Sequence, residues 1–75
     1  MPSDPRVVFG LRLRELRLRR KLSQEELADA ARLDRTYVSS CERGKRNISV
    51  VNIYRLAGAL RIRPDELLRP PGKID

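Results

Sequence analysis

The sequence predicts an all-α fold, a compact domain of five helices without strands. Apolar residues recur three or four positions apart in segments 9–16 and 53–60, which is the spacing of one face of an α-helix. Helix-capping residues and Gly or Pro boundaries delimit three further short segments. We therefore expect a single domain over residues 1–75, with a folded core at about 5–69.

The first helix is predicted to run from about residue 5 to Arg20. Asp4 suits the N-cap and Pro5 suits the first helical position. Residues 11–14 alternate apolar and basic side chains as a strand can, but the longer helical register and the strong helix formers outweigh that pattern. The core face of this helix is formed by Phe9, Leu13 and Leu16.

Residues 23–43 predict two short helices joined by a tight turn. Ser23 and Glu26 make a capping box at the start of the second helix, with the turn at 32–34. Asp34 suits the N-cap of the third helix, which should run from Arg35 to about residue 43 before Gly44. Two such helices, with polar side chains facing outward on the second, form the motif that inserts a recognition helix into the major groove of DNA.

The last two helices complete the predicted core. Ser49 can cap a fourth helix over about 50–60, and Pro64 opens a fifth over 64–68. The core positions of the fourth helix are Ile53, Leu56, Ala57 and Leu60.

The composition restricts the possible functions. Lys and Arg number 17 against 10 acidic residues, so the net charge is +7. That balance favours a polyanionic partner, with a merely solvated basic surface as the alternative. The aromatic content of 4% is low for a platform that stacks single-stranded bases.

The cysteine and histidine counts exclude other classes. Cys41 is the single cysteine, so we expect no intramolecular disulfide and a core position for its side chain. Without His, neither an N/S metal site nor a nucleophile–base pair can be assembled, so we expect no metal, no cofactor and no enzymatic activity. The sequence has no apolar run of about 18 residues and no signal peptide. We expect a soluble, cytoplasmic protein without a membrane partner.

The segments LSQEELA, LDRTYVS, ERGKRNIS, IYRLAGAL and PDELL together resemble the λ-repressor-like (Cro/C1, XRE-type) DNA-binding domains over about residues 9–68. Within that family, residues 34–39 followed by 42–47 are most similar to restriction–modification controller proteins. The sequence departs from the family at Lys21 and Arg32, where Gly is common. If Arg32 adopts a positive φ, we expect a cost on the order of 1 kcal/mol.

The resemblance implies a transcriptional regulator that binds a pseudo-palindromic DNA operator as a homodimer, with RNA polymerase as a further candidate partner. Two recognition helices would then lie about 34 Å apart. A phage- or plasmid-type repressor and an antitoxin that grips a protein partner remain the alternatives.

The expected DNA contacts fall into two groups. Arg35 has the planar donor geometry that matches guanine and is the expected main base reader. The base-reading group is Arg35, Thr36, Ser39 and Ser40. The phosphate-binding group is Gln24, Tyr37, Arg43, Lys45, Arg46 and Asn47. For Tyr37, a phosphate contact and packing against the turn both remain open.

Two structural roles also follow from the resemblance. Arg17 and Glu42 are expected to pair and tie helix one to the end of helix three. The expected dimer interface is Val50, Val51, Tyr54, Leu67 and Leu68, with the alternative that these residues only complete the monomer core. A second apolar stripe on helix one, formed by Val7, Leu11 and Leu18, either packs against the C-terminal tail at Ile74 or contacts another protein.

Overall fold

The structure, a computed structural model, describes residues 4–72. It contains five helices and, within those residues, no strand, so the predicted fold class is confirmed. The elements are α1 (Pro5–Arg19), α2 (Gln24–Ala31), α3 (Arg35–Glu42), α4 (Val50–Leu60) and α5 (Pro64–Leu67).

Every helix contributes to one hydrophobic core. α1 packs against α3 and α5, whereas α2 packs against α3 and α4. Cys41 lies in this core as expected, and burial raises the pKa of its thiol. The largest fully buried side chains are Leu13, Leu27, Val38, Leu56, Leu60 and Leu67.

Local hydrogen bonds explain where the helices start. The Asp4 carboxylate accepts from the Arg6 backbone N–H at 2.9 Å. Ser23 and Glu26 form the predicted capping box, with distances of 3.0 and 2.8 Å. Asp34 is the N-cap residue of α3, but its side chain makes no capping hydrogen bond.

Three helices, α1, α3 and α5, end one residue earlier than predicted. Three non-glycine residues have positive φ angles. Lys21 has φ 57°, while Arg32 and Arg61 each have φ 59°. The chain therefore keeps the left-handed turns at both positions where Gly is common in the family. Arg61, at the end of α4, is a third such residue that the sequence did not single out. A left-handed residue with a side chain costs roughly 1–2 kcal/mol.

The backbones of α1 and α3 meet at Gly10. A Cβ at this position would lie 2.7 Å from the carbonyl oxygen of Glu42, and closer still to that of Cys41. Such distances leave no room for a side chain. Gly10 therefore fixes the packing of α1 against the last turn of α3.

Arg12 and Glu15 connect α1 to the C-terminal part of the chain. The buried Arg12 donates from Nε to the carbonyl of Glu66 and from Nη1 to Glu15, each at 2.8 Å. Glu15 also accepts from the backbone N–H of Gly72 at 2.9 Å, and this bond is the main reason that the pKa of Glu15 is lowered. No local pattern in the sequence predicts this cluster, because its members lie far apart along the chain.

The second apolar stripe of α1 does not behave as one unit. Val7 is half-buried and packs against Gly44. A Cβ added at Gly44 would lie 2.7 Å from Val7 Cγ2. Leu11 and Leu18 are exposed, and together with Pro71 they line an open groove of about 460 Å³. Ile74, one of the two expected partners, lies outside the described residues.

Candidate nucleic-acid interface

Three of the four predicted base-reading residues lie along one accessible edge of α3, which we call the reading edge: Arg35, Thr36 and Ser39. Arg35 and Thr36 are exposed in the first turn. In the described part of the chain, neither side chain makes a hydrogen bond or ion pair. Their polar groups therefore remain available to a ligand.

Ser40 is a correction, because it is buried and 9% exposed. The chain after α3 folds back over this residue, and the Lys45 N–H donates to its carbonyl at 3.0 Å. The Ser40 hydroxyl donates to the carbonyl of Tyr37 and accepts from Arg46 Nε, both at 2.9 Å. The prediction that Ser40 reads a base is therefore wrong, since helical spacing alone did not show that the following loop covers it.

The loop at residues 43–47, which we call the basic loop, adjoins the reading edge. Arg43 donates from Nη1 to Ser39 Oγ. The Arg46 guanidinium carbon lies 5.0 Å from the centroid of the Tyr37 ring, within range of a cation–π interaction. The predicted phosphate-binding residues Arg43, Lys45, Arg46 and Asn47 are all exposed.

Tyr37 is a half-buried residue of α3 that contacts α4. Its Oη accepts from Asn52 Nδ2 at 3.0 Å. The tyrosine thus packs against its neighbours, and a hydrogen bond from its side chain partly offsets the rise in the pKa of the Cys41 thiol. Asn52 was not among the residues that the sequence singled out, and an isolated Asn on a helix carries no signal for such a contact.

Gln24, the first residue of α2, lies beside the ion pair of α1 and α3. Arg17 donates to Glu42 through Nε at 2.6 Å and Nη2 at 3.0 Å. Gln24 Nε2 donates to the same carboxylate at 3.1 Å. Gln24 and Arg35 line an open polar cleft of about 450 Å³ at the start of α2. Backbone N–H groups at such a helix start can bind an anion such as a phosphate.

The predicted dimer surface divides into exposed and buried members. Leu67 is a correction: it is 0% exposed, because α5 is a single turn whose inward side completes the core. It cannot contact a second protein. The other four residues are exposed by 61–68%: Val50, Val51, Tyr54 and Leu68.

Two helices joined by a tight turn, the second with an exposed polar edge beside a basic loop, define a helix-turn-helix domain. Residues 13–67 match the family model HTH_3, described as "Helix-turn-helix". The chain belongs to this XRE-type family of DNA-binding transcriptional regulators, which are not enzymes.

Similar proteins include several controllers. "Control protein C.BamHI" of Bacillus amyloliquefaciens is 44% identical over 69 residues, covering 91% of this chain and 85% of that protein. "Control protein C.MunI" of Mycoplasma sp is 46% identical over 66 residues, covering 87% and 89%. The crystal structure of the restriction-modification controller protein C.AhdI from Aeromonas hydrophila shares 60% identity and a TM-score of 0.82, covering 83% and 94% of the two chains.

The described residues contain neither a metal-binding cluster nor a membrane-spanning helix. Across positions 4–72, no three His, Cys, Asp or Glu side chains come together to hold a metal ion. No helix in that span is both long and apolar enough to cross a membrane.

Proposed function

We propose that this protein is a restriction–modification controller that binds a pseudo-palindromic operator as a homodimer and acts in the cytoplasm. The observation that carries the proposal is the hydrogen bond from Arg43 to Ser39, which forms a junction between the basic loop and the reading edge. This junction gives one continuous surface with both base-reading and phosphate-binding groups. The controllers among the relatives support the restriction–modification setting.

In this proposal Arg35 reads a guanine and Thr36 and Ser39 contact neighbouring bases or phosphates. The phosphate contacts come from Gln24, Tyr37, Arg43, Lys45, Arg46 and Asn47. Such contacts release counterions, so the affinity should fall steeply as the salt concentration rises.

The homodimer is proposed to form through α4 and the residue after α5. Val51 and Tyr54 are three positions apart on α4, so they share one helical face. Large apolar side chains exposed by more than half favour burial against a partner. Dimerisation would present two recognition helices to successive major grooves. RNA polymerase remains the proposed further partner if the bound dimer activates transcription.

A phage-type repressor is the second candidate. An "Immunity repressor protein" of Bacillus phage phi105 is 41% identical over 56 residues, covering 75% of this chain but 39% of that protein. Both candidates bind DNA through the same surface, so the difference lies in the genes that the bound sites control.

Selection of bound duplexes from random DNA, followed by sequencing, tests the proposal. We expect two inverted half-sites separated by about one helical turn. A single unpaired half-site would contradict the homodimer, and absence of any enriched sequence would contradict the regulator. Locating the selected site upstream of a restriction gene would favour the controller over the phage-type repressor.

A further inference from the structure

Asn52, in the first turn of α4, contacts the recognition helix α3. Its Nδ2 donates to Tyr37 Oη at 3.0 Å, and both residues are half-buried. The backbone N–H of Asn52 donates to Ser49 Oγ at 3.2 Å. The start of α4 is therefore held by a cap while the Asn52 side chain reaches across to α3.

The Tyr37 ring in turn supports Arg46. The guanidinium lies 5.0 Å from the ring centroid, and its Nε donates to Ser40 Oγ at 2.9 Å. No residue between 4 and 72 accepts from its two Nη groups. Arg46 is thus held on one side by the ring and the serine, and its remaining donors are available to DNA.

A hydrogen bond at the tip of a tyrosine restricts the tilt of its ring. Without the Asn52 amide, the Tyr37 ring can rotate about two side-chain torsions, and the guanidinium stacked on it moves with it. Arg46 is proposed to bind a DNA phosphate, so the orientation of its guanidinium affects binding.

We propose that Asn52 is a positioning residue for DNA recognition, which fixes the Tyr37 ring and through it the orientation of Arg46. The inference rests on the proposed DNA contacts of Tyr37 and Arg46. It adds a residue of α4 that lies outside both the reading edge and the basic loop. It also links recognition to the helix that carries Val51 and Tyr54.

The test is a double-mutant cycle of Asn52→Ala and Tyr37→Phe, measured on a duplex that the unmodified protein selects from random DNA. We expect Asn52→Ala to weaken binding about fivefold to tenfold. In the Tyr37→Phe background, Asn52→Ala should cause no further loss, because the hydroxyl through which it acts is gone. A purely structural role of Asn52 in α4 would weaken both backgrounds equally.

Unchanged affinity of Asn52→Ala, or an equal loss in both backgrounds, would overturn the inference. If Asn52→Ala does not fold, Tyr37→Phe tests the same hydrogen bond from its other side, and unchanged affinity would overturn the inference there. Failure of the unmodified protein to select any sequence contradicts the proposed function instead. The two failures are therefore distinguishable.

Discussion

Arg17 on α1 and Glu42 at the end of α3 form a two-point ion pair in which both side chains are nearly buried, with exposures of 10% and 4%. Arg17 also donates to the carbonyl of Leu22 at 2.8 Å, and Gln24 shares the Glu42 carboxylate. The pair therefore joins α1, the start of α2 and the recognition helix. Removing one partner leaves the other charged and unpaired in a poorly solvated position.

We expect Arg17→Ala to lower the free energy of unfolding by about 3 kcal/mol, as breaking one side of a buried ion pair typically does. Glu42→Ala should have a similar effect. Urea denaturation followed by circular dichroism measures both. The double variant should lose less than the sum of the single losses, and strict additivity would show that the two residues do not stabilise each other.

Leu67 and Leu68 offer a matched pair of adjacent substitutions. Leu67→Ala should lower the free energy of unfolding by about 2–5 kcal/mol, because it opens a cavity in the core. Leu68→Ala removes a side chain that is 65% exposed and should change the monomer's stability little. Sedimentation should show weaker dimerisation for Leu68→Ala, and unaltered self-association would remove Leu68 from the proposed interface.

This pair also illustrates what the sequence could and could not predict. The helices and three of the caps were predictable, because their signals are local: Asp4 before Pro5, Ser23 with Glu26, and Ser49 before α4. The last helix is a single turn, so periodicity could not decide which of two adjacent leucines faces inward. Burial of Leu67 depends on where α5 meets the rest of the core, which no local pattern encodes.

In the candidate site, too, local patterns predict some features, whereas others depend on how the elements meet. The exposure of Arg35 and Thr36 follows from their place at the start of a short helix. The covering of Ser40 depends on the path of the loop after α3, and the Asn52–Tyr37 contact depends on where the start of α4 lies relative to α3. Both are relations between elements, so neither could be derived from the spacing of residues within one helix.

Arg61→Gly should raise the free energy of unfolding by about 0.5–1 kcal/mol. Arg61 has φ 59°, a conformation that glycine adopts without the Cβ clash. The carbonyl of Arg61, which accepts from Arg20 Nη2, is retained in the variant. Arg61→Ala is the control, since it removes the long side chain but keeps the Cβ. Equal stabilities of the two variants in thermal and urea unfolding would show that the backbone conformation is not strained.

Arg35→Ala should reduce discrimination by ~1–3 kcal/mol at one base pair of the selected operator. Lys45→Ala is the comparison, because a phosphate contact should weaken binding to all sequences and reduce the salt dependence by about one counterion. Titration of single-base-pair variants at several salt concentrations distinguishes the two. Uniform weakening by Arg35→Ala would show that it contacts phosphate and reads no base.

Glu15→Gln should remove part of the pH dependence of stability. The pKa of Glu15 is lowered from its ordinary value of 4.5, chiefly by the Gly72 N–H. The stabilisation is therefore complete above about pH 4.5 and is lost as the pH falls through the lower pKa of the folded protein. Thermal unfolding between pH 7 and pH 2 should show the variant less stable at neutral pH and converging with the parent in acid. If the stability difference between the variant and the parent does not change with pH, Glu15 is not the source of this pH dependence.

The contact at Gly10 limits how this protein can adapt to different DNA sites. At Gly10, α1 and the end of α3 touch through backbone atoms. No flexible side chain lies between the two helices there to absorb a shift of one relative to the other. The recognition helix must then approach every DNA site at one fixed angle relative to the domain body. Differences between DNA sites have to be met by side-chain rotamers on α3, by the basic loop and by bending of the DNA itself.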